Sequence, residues 1–359
     1  MNVEAAARQF QFYGEFFEAR PYGNGHINDT YRLVFRQGNA LTFYILQRIN
    51  RHIFKQPEIL MDNIRRVTAH VDTLVVNESD SSRRALRLIP TREGRPWHLD
   101  ADGNHWRAYN FISRASTYDA VESTEQAFQA AKAFGRFQEL LARLPAPRLH
   151  ETIPDFHNTP KRFKALLSAI EADSAGRVSQ AGREIDFALS RESIIGVLLD
   201  AGLPERVTHN DTKLNNVMFD DVTGEGICVI DLDTVMPGLA LYDFGDMVRT
   251  ATSPAKEDER DLSKVTLQFE MFEALVAGYL SSAGGFLTAA EKALLPFSGK
   301  LITFEIGIRF LTDYLVGDTY FKVHREGHNL DRCRTQFRLV ESIERQEERM
   351  KHLVRSLVS

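Results

Sequence analysis

Oxygen-bearing side chains crowd into two short stretches of this sequence. The first, VTHNDTKLNNVMFD (Val207–Asp220), sets His209, Asn210, Asp211, Lys213, Asn215 and Asn216 between apolar flanks. The second, VIDLDTVMPG (Val229–Gly238), brings Asp231 and Asp233, the former twenty residues after Asp211. Asp211 and Asn216 stand five apart, and in a loop entering a short turn that spacing directs both into one cavity. A carboxylate beside an amide carbonyl is hard-oxygen ligation, which suits Mg2+ far better than zinc. Such an ion, held by few protein ligands, completes its shell with water and phosphate oxygens. One further carboxylate, not committed to metal, can orient a hydroxyl and accept its proton. These are the parts of a phosphoryl-transfer site, where positioning and charge neutralisation do most of the catalysis. Asn and Asp also cap turns by bonding nearby backbone, so the first stretch alone equally fits a capping turn. The second stretch, and the run DFGDMVR (Asp243–Arg249) after it, tip the reading toward a site.

Those loops need elements to hold them. TYRLVFRQ (Thr30–Gln37) and LTFYILQRI (Leu41–Ile49) are rich in β-branched and aromatic residues and flank a turn-like QGNA, which predicts a hairpin. From Pro57 to Leu74, apolar residues recur at helical spacing, with Pro57 suited to a first turn. LRLIPT (Leu86–Thr91) and HWRAYNFI (His105–Ile112) return to strand character. A long amphipathic helix follows over Glu125–Leu144, with further helical segments near Lys161–Ala172 and Glu192–Ala201 and again from Ser263 onward. The expected fold class is α+β and bilobal: a β-rich N-terminal lobe over 1–115 and a mostly helical C-terminal lobe over 116–359.

Composition narrows the partners. The chain of 359 residues carries a formal charge of −5, without the basic excess that marks nucleic-acid or anionic-membrane binding. The short run RRALR (Arg83–Arg87) reads as solvated surface. Cys228 and Cys333 are too few and too far apart for a disulfide framework or zinc site, and fit a reducing, cytoplasmic setting. The N-terminus lacks the apolar core of a signal peptide, and no apolar run reaches the length of a membrane span. No apolar stripe marks a dimer face, so the oligomeric state is left open.

The pattern H-x-D-x-x-x-x-N (His209, Asp211, Asn216), followed by IDLD (Ile230–Asp233), resembles the paired motifs of the aminoglycoside phosphotransferase and choline kinase superfamily, small-molecule relatives of protein kinases. The resemblance implies a protein-kinase-like fold using ATP and Mg2+. It implies Asp211 as catalytic base and Asn216, Asp231 and Asp233 as the metal set. YGNGHINDTY (Tyr22–Tyr31) stands where a glycine-rich phosphate loop belongs, with Gly23, Asn24 and Gly25 letting backbone approach phosphate. Asn28 takes the place of that loop's third glycine, and Gln47 in YILQRIN the place of its partner lysine. Gln47 can hydrogen-bond phosphate but not neutralise it, which leaves more charge to the metal; Arg48 points to the opposite face of a regular strand. Glu58 and Asp62 read as surface acids, and the adenine is expected near the backbone of Asn110–Ile112.

A closer resemblance, spread over PYGNGHIN, YILQRIN, RVTHNDTKLNN, IDLDTVMPG and DYLVGDTYF, is to the N-acetylhexosamine 1-kinases. That family shares the glutamine of YILQ. The resemblance implies that His26, Arg309 and Tyr320 face a sugar whose C1 hydroxyl meets Asp211. The expectation is ATP-dependent phosphorylation of N-acetylglucosamine or N-acetylgalactosamine at the anomeric hydroxyl. Alternatives are another small alcohol (choline, an aminoglycoside, homoserine) or a nucleotide-binding scaffold. Arg309 opposes the cationic acceptors, and the intact Asp211, Asn216 and Asp231 oppose the scaffold. Arg309 and Tyr320, eleven apart, equally suit one side of a core helix with a buried ion pair.

Overall fold

A computed structural model describes residues 3–23 and 27–358. The expectations at Asn24, Gly25 and His26 therefore lie outside the described residues. The chain divides into two compact units, one of Met1–Ser116, Arg143–Ile153 and Met218–Met236, the other of Thr117–Ala142, Pro154–Val217 and Pro237–Ser359.

The first unit opens with α1 (Val3–Ala7), β1 (Glu15–Pro21), β2 (Asp29–Gln37) and β3 (Ala40–Arg48), then α2 (Pro57–Val75), β4 (His98–Leu99), β5 (His105–Asn110) and β6 (Ala115–Ser116). Strands β1 to β5 form one antiparallel sheet in the order β1-β2-β3-β5-β4. Its buried face carries Leu33, Phe35, Tyr44, Leu46, Trp106 and Ala108, closed by Phe10. The register sets Thr30 opposite Gln47, and Gln47 opposite Arg107. Directly opposed residues share a face, so these three polar side chains lie in a row. Helix α2 buries Leu60, Ile64, Val67 and Val71 at helical spacing, with Pro57 in its first turn.

Two sequence expectations change here. Leu86–Thr91 forms no strand of its own; it makes single bridges, Phe10 to Thr91 and Leu88 to Tyr109. Pro90 has no N–H to give to a ladder, which limits regular pairing. Nor is the RRALR run all solvated: Arg83 is 7% exposed and donates to Asp220 and to the carbonyls of Ser113 and Arg114.

Farther along the chain come α3 (Thr124–Leu141), α4 (Thr159–Ala172), α5 (Gly182–Leu189), α6 (Val197–Asp200), β7 (Arg206–Thr208), β8 (Val217–Asp220), β9 (Gly226–Val229) and β10 (Met236–Gly238). Helices α7 (Ala240–Ala251), α8 (Phe269–Ala283), α9 (Ala289–Ala293), α10 (Leu295–Leu315) and α11 (His328–Val358) complete it. β6, β8 and β9 make a small sheet whose last strand leads into the IDLD loop. In the second unit α3 packs on α8, and α10 is surrounded by α4, α7 and α11. Ser123 caps α3 by accepting from Gln126 N at 3.2 Å. Gly245 lets α7 lie against α10: a Cβ there would come within 2.5 Å of the Ser298 carbonyl oxygen. The helix expected over Glu192–Ala201 is only a 3-10 turn, Glu192–Ile194, and the four-residue α6, with Gly196 between them. Glycine in a helix interior costs about 1 kcal/mol relative to alanine. Among the described residues no helix is long and apolar enough to cross a membrane.

Candidate active site

β7 ends at Thr208 and releases the chain into His209–Lys213. Two carboxylates of α7 receive that loop. Asp243, with no exposed surface, accepts from the backbone N–H of His209 at 2.9 Å and of Asn210 at 2.7 Å. It also accepts from Gln138 Nε2 of α3 at 2.6 Å. Burial pushes the Asp243 carboxyl above its usual range, against the pull of His209 and these three donors. Asp246 accepts from Thr212 N at 2.9 Å and from Arg249 Nε at 2.8 Å. The DFGD run is therefore the bracket from which the loop hangs.

Within the loop, Asn210 takes a left-handed backbone, φ +65°, a region that asparagine enters more readily than most residues. Gly238 makes room beside it, since a Cβ there would stand 2.5 Å from Thr208 Oγ1. The His209 ring is fully buried, edge-on to Phe134 and Phe137, and its Nδ1 accepts from Asp211 N at 3.3 Å. His209 thus shapes the backbone that carries Asp211. The Asp211 side chain stays partly exposed, with Lys213 Nζ 3.0 Å from Oδ1. Asn216 Nδ2 donates to the Asp211 carbonyl oxygen at 2.7 Å and to Oδ2 at 3.2 Å. Its amide nitrogen is committed, so Oδ1 is the atom left to face a cation.

In the first unit, β9 leads to Asp231, again left-handed at φ +59°, and then to the 3-10 turn Leu232–Thr234. Asp233 is buried. Arg107 Nη1 donates to its Oδ1, and Asn28 Nδ2 donates to Oδ2 at 2.6 Å. The structure thus turns Asp233, counted in the metal set from the sequence, toward two protein donors. Gln47 accepts from Arg107 Nε at 2.9 Å and donates to Thr30 Oγ1 at 3.0 Å. Arg48, on the other face, pairs with Asp29. Among the described residues, no three His, Cys, Asp or Glu side chains gather as a metal centre. Asp231 in the first unit and Asn216 in the second each carry a hard oxygen donor of the kind that suits Mg2+, an ion commonly held through one or two protein groups plus phosphate and water.

The remaining nucleotide candidates are Gly23, Asn110 and Ile112. Gly23 has φ +77° and open space around it. Asn110 accepts from Arg87 N at 2.7 Å and donates to the carbonyls of Ser82 and Ala85 at 3.3 Å, so its side chain ties down the preceding loop. Ile112 belongs to an apolar cluster with Met218, Ile227 and Cys228.

Arg309 projects from α10, its guanidinium 5.2 Å from the Phe156 ring centroid and 5.9 Å from that of Phe321. Glu305 Oε1 lies 4.0 Å away, one turn back, so a buried ion pair on this helix is present. Glu305 also receives Thr159 Oγ1 at 2.6 Å and lies 2.9 Å from His157 Nδ1, while His157 Nε2 lies 3.4 Å from the Asn210 carbonyl oxygen. Burial, then the neighbouring Arg309, holds the Arg162 guanidinium below its ordinary value. Tyr320 is not on that helix, which ends at Leu315; it is 68% exposed in the loop beyond. Asp313 fixes the loop by accepting from the backbone N–H of Thr319, Tyr320 and Phe321 at 2.8–2.9 Å.

Sequence reasoning passed over Arg107, Gln138, His157, Glu305 and Asp313. Glu305 alone stands out as a charge within an apolar run, ITFEIG; the others lie among further polar residues, as Gln138 does in GRFQEL and His157 in PDFHNT. A lone charge of that kind is a signal only Glu305 gave.

The phosphotransferase enzyme family (APH) matches residues 18–275. Among solved structures, a microcompartment-associated aminopropanol kinase aligns with TM-score 0.60 at 18% identity, covering 97% of this chain and 98% of that one. An aminoglycoside phosphotransferase from Alicyclobacillus acidocaldarius aligns at 0.59 and 11% identity, over 100% and 96%. A spectinomycin phosphotransferase in complex with ADP and spectinomycin aligns at 0.56 and 14%, over 92% of each chain. These likenesses show a common α+β, protein-kinase-like fold. With a β-sheet N-terminal region, a helical C-terminal region and a family match over most of its length, the chain belongs to the phosphotransferase enzyme family.

Proposed function

We propose that this phosphotransferase uses ATP and Mg2+ to phosphorylate the anomeric C1 hydroxyl of an N-acetylhexosamine, N-acetylglucosamine or N-acetylgalactosamine, giving the sugar 1-phosphate. The observation that carries the acceptor class is the pair of guanidiniums Arg309 and Arg162, set among Phe156 and Phe321. The solved relatives named above include kinases of aminopropanol and spectinomycin, acceptors with amines that are cationic at neutral pH. Two arginines repel such acceptors, whereas a neutral sugar offers hydroxyl and acetamide oxygens for them to bond and a ring face for the aromatics.

In this reading Asp211 orients the C1 hydroxyl and takes its proton. A hemiacetal hydroxyl is more acidic than an ordinary alcohol, so a carboxylate of ordinary basicity suffices. Lys213 and Asn216, both on Asp211, restrict its rotation. Asn216 and Asp231 are the groups that would hold Mg2+, whose charge would offset that of the phosphates. Gly23, Asn24 and Gly25 serve the phosphates, the backbone from Asn110 to Ile112 serves the adenine, and His26, Arg309 and Tyr320 serve the sugar; Gln47, bonded to Arg107 and Thr30, acts behind them.

The test is a panel of N-acetylhexosamines, hexoses, choline, aminopropanol and aminoglycosides with ATP and Mg2+. ADP release gives the rate and phosphorus NMR locates the product phosphate. A C1 phosphate on an N-acetylhexosamine is the expected result. Phosphate on C6, or turnover only with an amine, overturns the reading.

A further inference from the structure

Arg107 lies between Trp106 and Ala108 in the core sheet and is 1% exposed. Burying an unpaired guanidinium is strongly unfavourable. Gln47, its cross-strand partner, accepts from Nε at 2.9 Å, and Asp233 accepts from Nη1. Burial disfavours the charged guanidinium, and Asp233, with Tyr109 and Asp231 behind it, more than restores it.

Asp233 in turn has one oxygen on Arg107 and the other on Asn28. The turn around it is pinned by backbone bonds as well: Thr152 Oγ1 donates to the Asp233 carbonyl oxygen at 3.4 Å, and Asn63 Nδ2 of α2 to that of Val235 at 3.1 Å. Turning Asp233 outward to a cation would strand a buried charge. Two residues upstream, Asp231 keeps a left-handed backbone, which a non-glycine residue sustains only where its surroundings over-determine it.

We propose that Arg107 is the positioning residue of the metal loop: joined to β3 through Gln47, it grips Asp233 and so presents Asp231, and Asp233 is its anchor and not a magnesium ligand. A lysine at position 47 would join β3 to the acidic loop with its own charge; here the glutamine orients a cation supplied by the next strand. The proposal rests on the reading of Asp231 as a metal ligand.

The test uses Mn2+ as a spectroscopic probe of the full chain in the presence of ADP, with electron paramagnetic resonance reporting bound ion and far-UV circular dichroism reporting folding. Asp231→Asn loses a ligand and sets the floor. Arg107→Gln and Asp233→Asn each leave a buried charge unpaired, and each lowers Mn2+ affinity by about 10–100-fold, the usual effect of losing an outer-shell partner. The double variant Arg107→Gln/Asp233→Asn removes both charges and leaves two neutral amides in their place. It recovers most of the lost affinity, because no uncompensated charge remains. A double variant as weak as Asp233→Asn shows that Asp233 is a ligand and overturns the proposal alone. If a single variant does not fold, the double variant decides: affinity near wild type supports the anchor, affinity at the Asp231→Asn floor refutes it. Wild-type protein that binds no Mn2+ with ADP overturns the reading of the site and the proposal with it.

Discussion

Replacing Asp243 by asparagine tests whether the proposed catalytic loop, His209–Lys213, hangs from α7. Three donors converge on this carboxylate: His209 N at 2.9 Å, Asn210 N at 2.7 Å and Gln138 Nε2 at 2.6 Å. The side chain has no contact with solvent, so water cannot replace it as acceptor. Asparagine keeps the volume but offers one acceptor oxygen, and its NH2 group must face a donor. At least one bond to a charged acceptor is lost and one buried N–H is stranded, a combined cost of about 2–4 kcal/mol. Against a total stability of about 5–15 kcal/mol the variant stays folded at room temperature. Catalysis suffers separately. Asn210 holds φ +65° immediately before Asp211, and with a tether gone that backbone relaxes. A displacement of about 1 Å at the reacting group costs about 10²-fold in rate. Urea unfolding should be followed by far-UV circular dichroism, because both tryptophans, Trp97 and Trp106, belong to the first unit and do not report on α7. Turnover is measured on the best acceptor of the substrate panel. A stability loss below about 1 kcal/mol together with kcat within about threefold of wild type would refute the bracket, since neither the hydrogen-bond cost nor the displacement would then exist.

Asp211→Asn should lower kcat by about 10²–10⁴ while the KM for ATP stays put, the pattern of a lost general base. Rescue of that variant by raising Mg2+ would show the residue to be a ligand. If Tyr320 contacts the proposed sugar, Asp313→Asn should raise the KM for that acceptor by about tenfold through loosening of the Tyr320 loop, the loss of one bond to a charged acceptor. An unchanged sugar KM with a lowered kcat would take Tyr320 out of the binding site. Asp100 offers a pH test: burial pushes its carboxyl up, but Trp106, Asn104 and backbone N–H groups outweigh this and hold it down to about 2 from the usual 3.8. Because the folded-state value is the lower one, its contribution is present above 3.8 and is lost as pH falls toward about 2. Between about pH 5 and about pH 3 the urea midpoint should fall less for Asp100→Asn than for wild type, and equal falls would contradict the assignment.

The order of elements was open to reading from the chain. Leu33, Phe35, Tyr44 and Leu46 advertise strands through residue type, and Leu60, Ile64, Val67 and Val71 advertise α2 through a period set by helix geometry. Both are local rules. They failed where a local rule is incomplete: Leu86–Thr91 has strand composition but a proline that cannot donate, and Glu192–Ala201 has helical composition interrupted by Gly196. Arg309 and Tyr320 fitted one helix by count alone; Gly317, at φ +96°, follows the end of α10 and puts them on different elements.

By itself the sequence determined where the polar side chains crowd, since His209, Asp211 and Asn216 lie within eight residues and Asp231 and Asp233 within three. Tertiary structure alone decided what each carboxylate faces. Asp233 and Arg107 are 126 residues apart, Asp243 and Gln138 105, His157 and Glu305 148. A periodic pattern says which side of an element is buried, but not which polar group it will meet there. That depends on the register of strands and the close approach of helices such as α7 and α10 at Gly245. A buried charge must find its partner wherever the fold brings one, because leaving it unpaired costs more than most single contacts contribute.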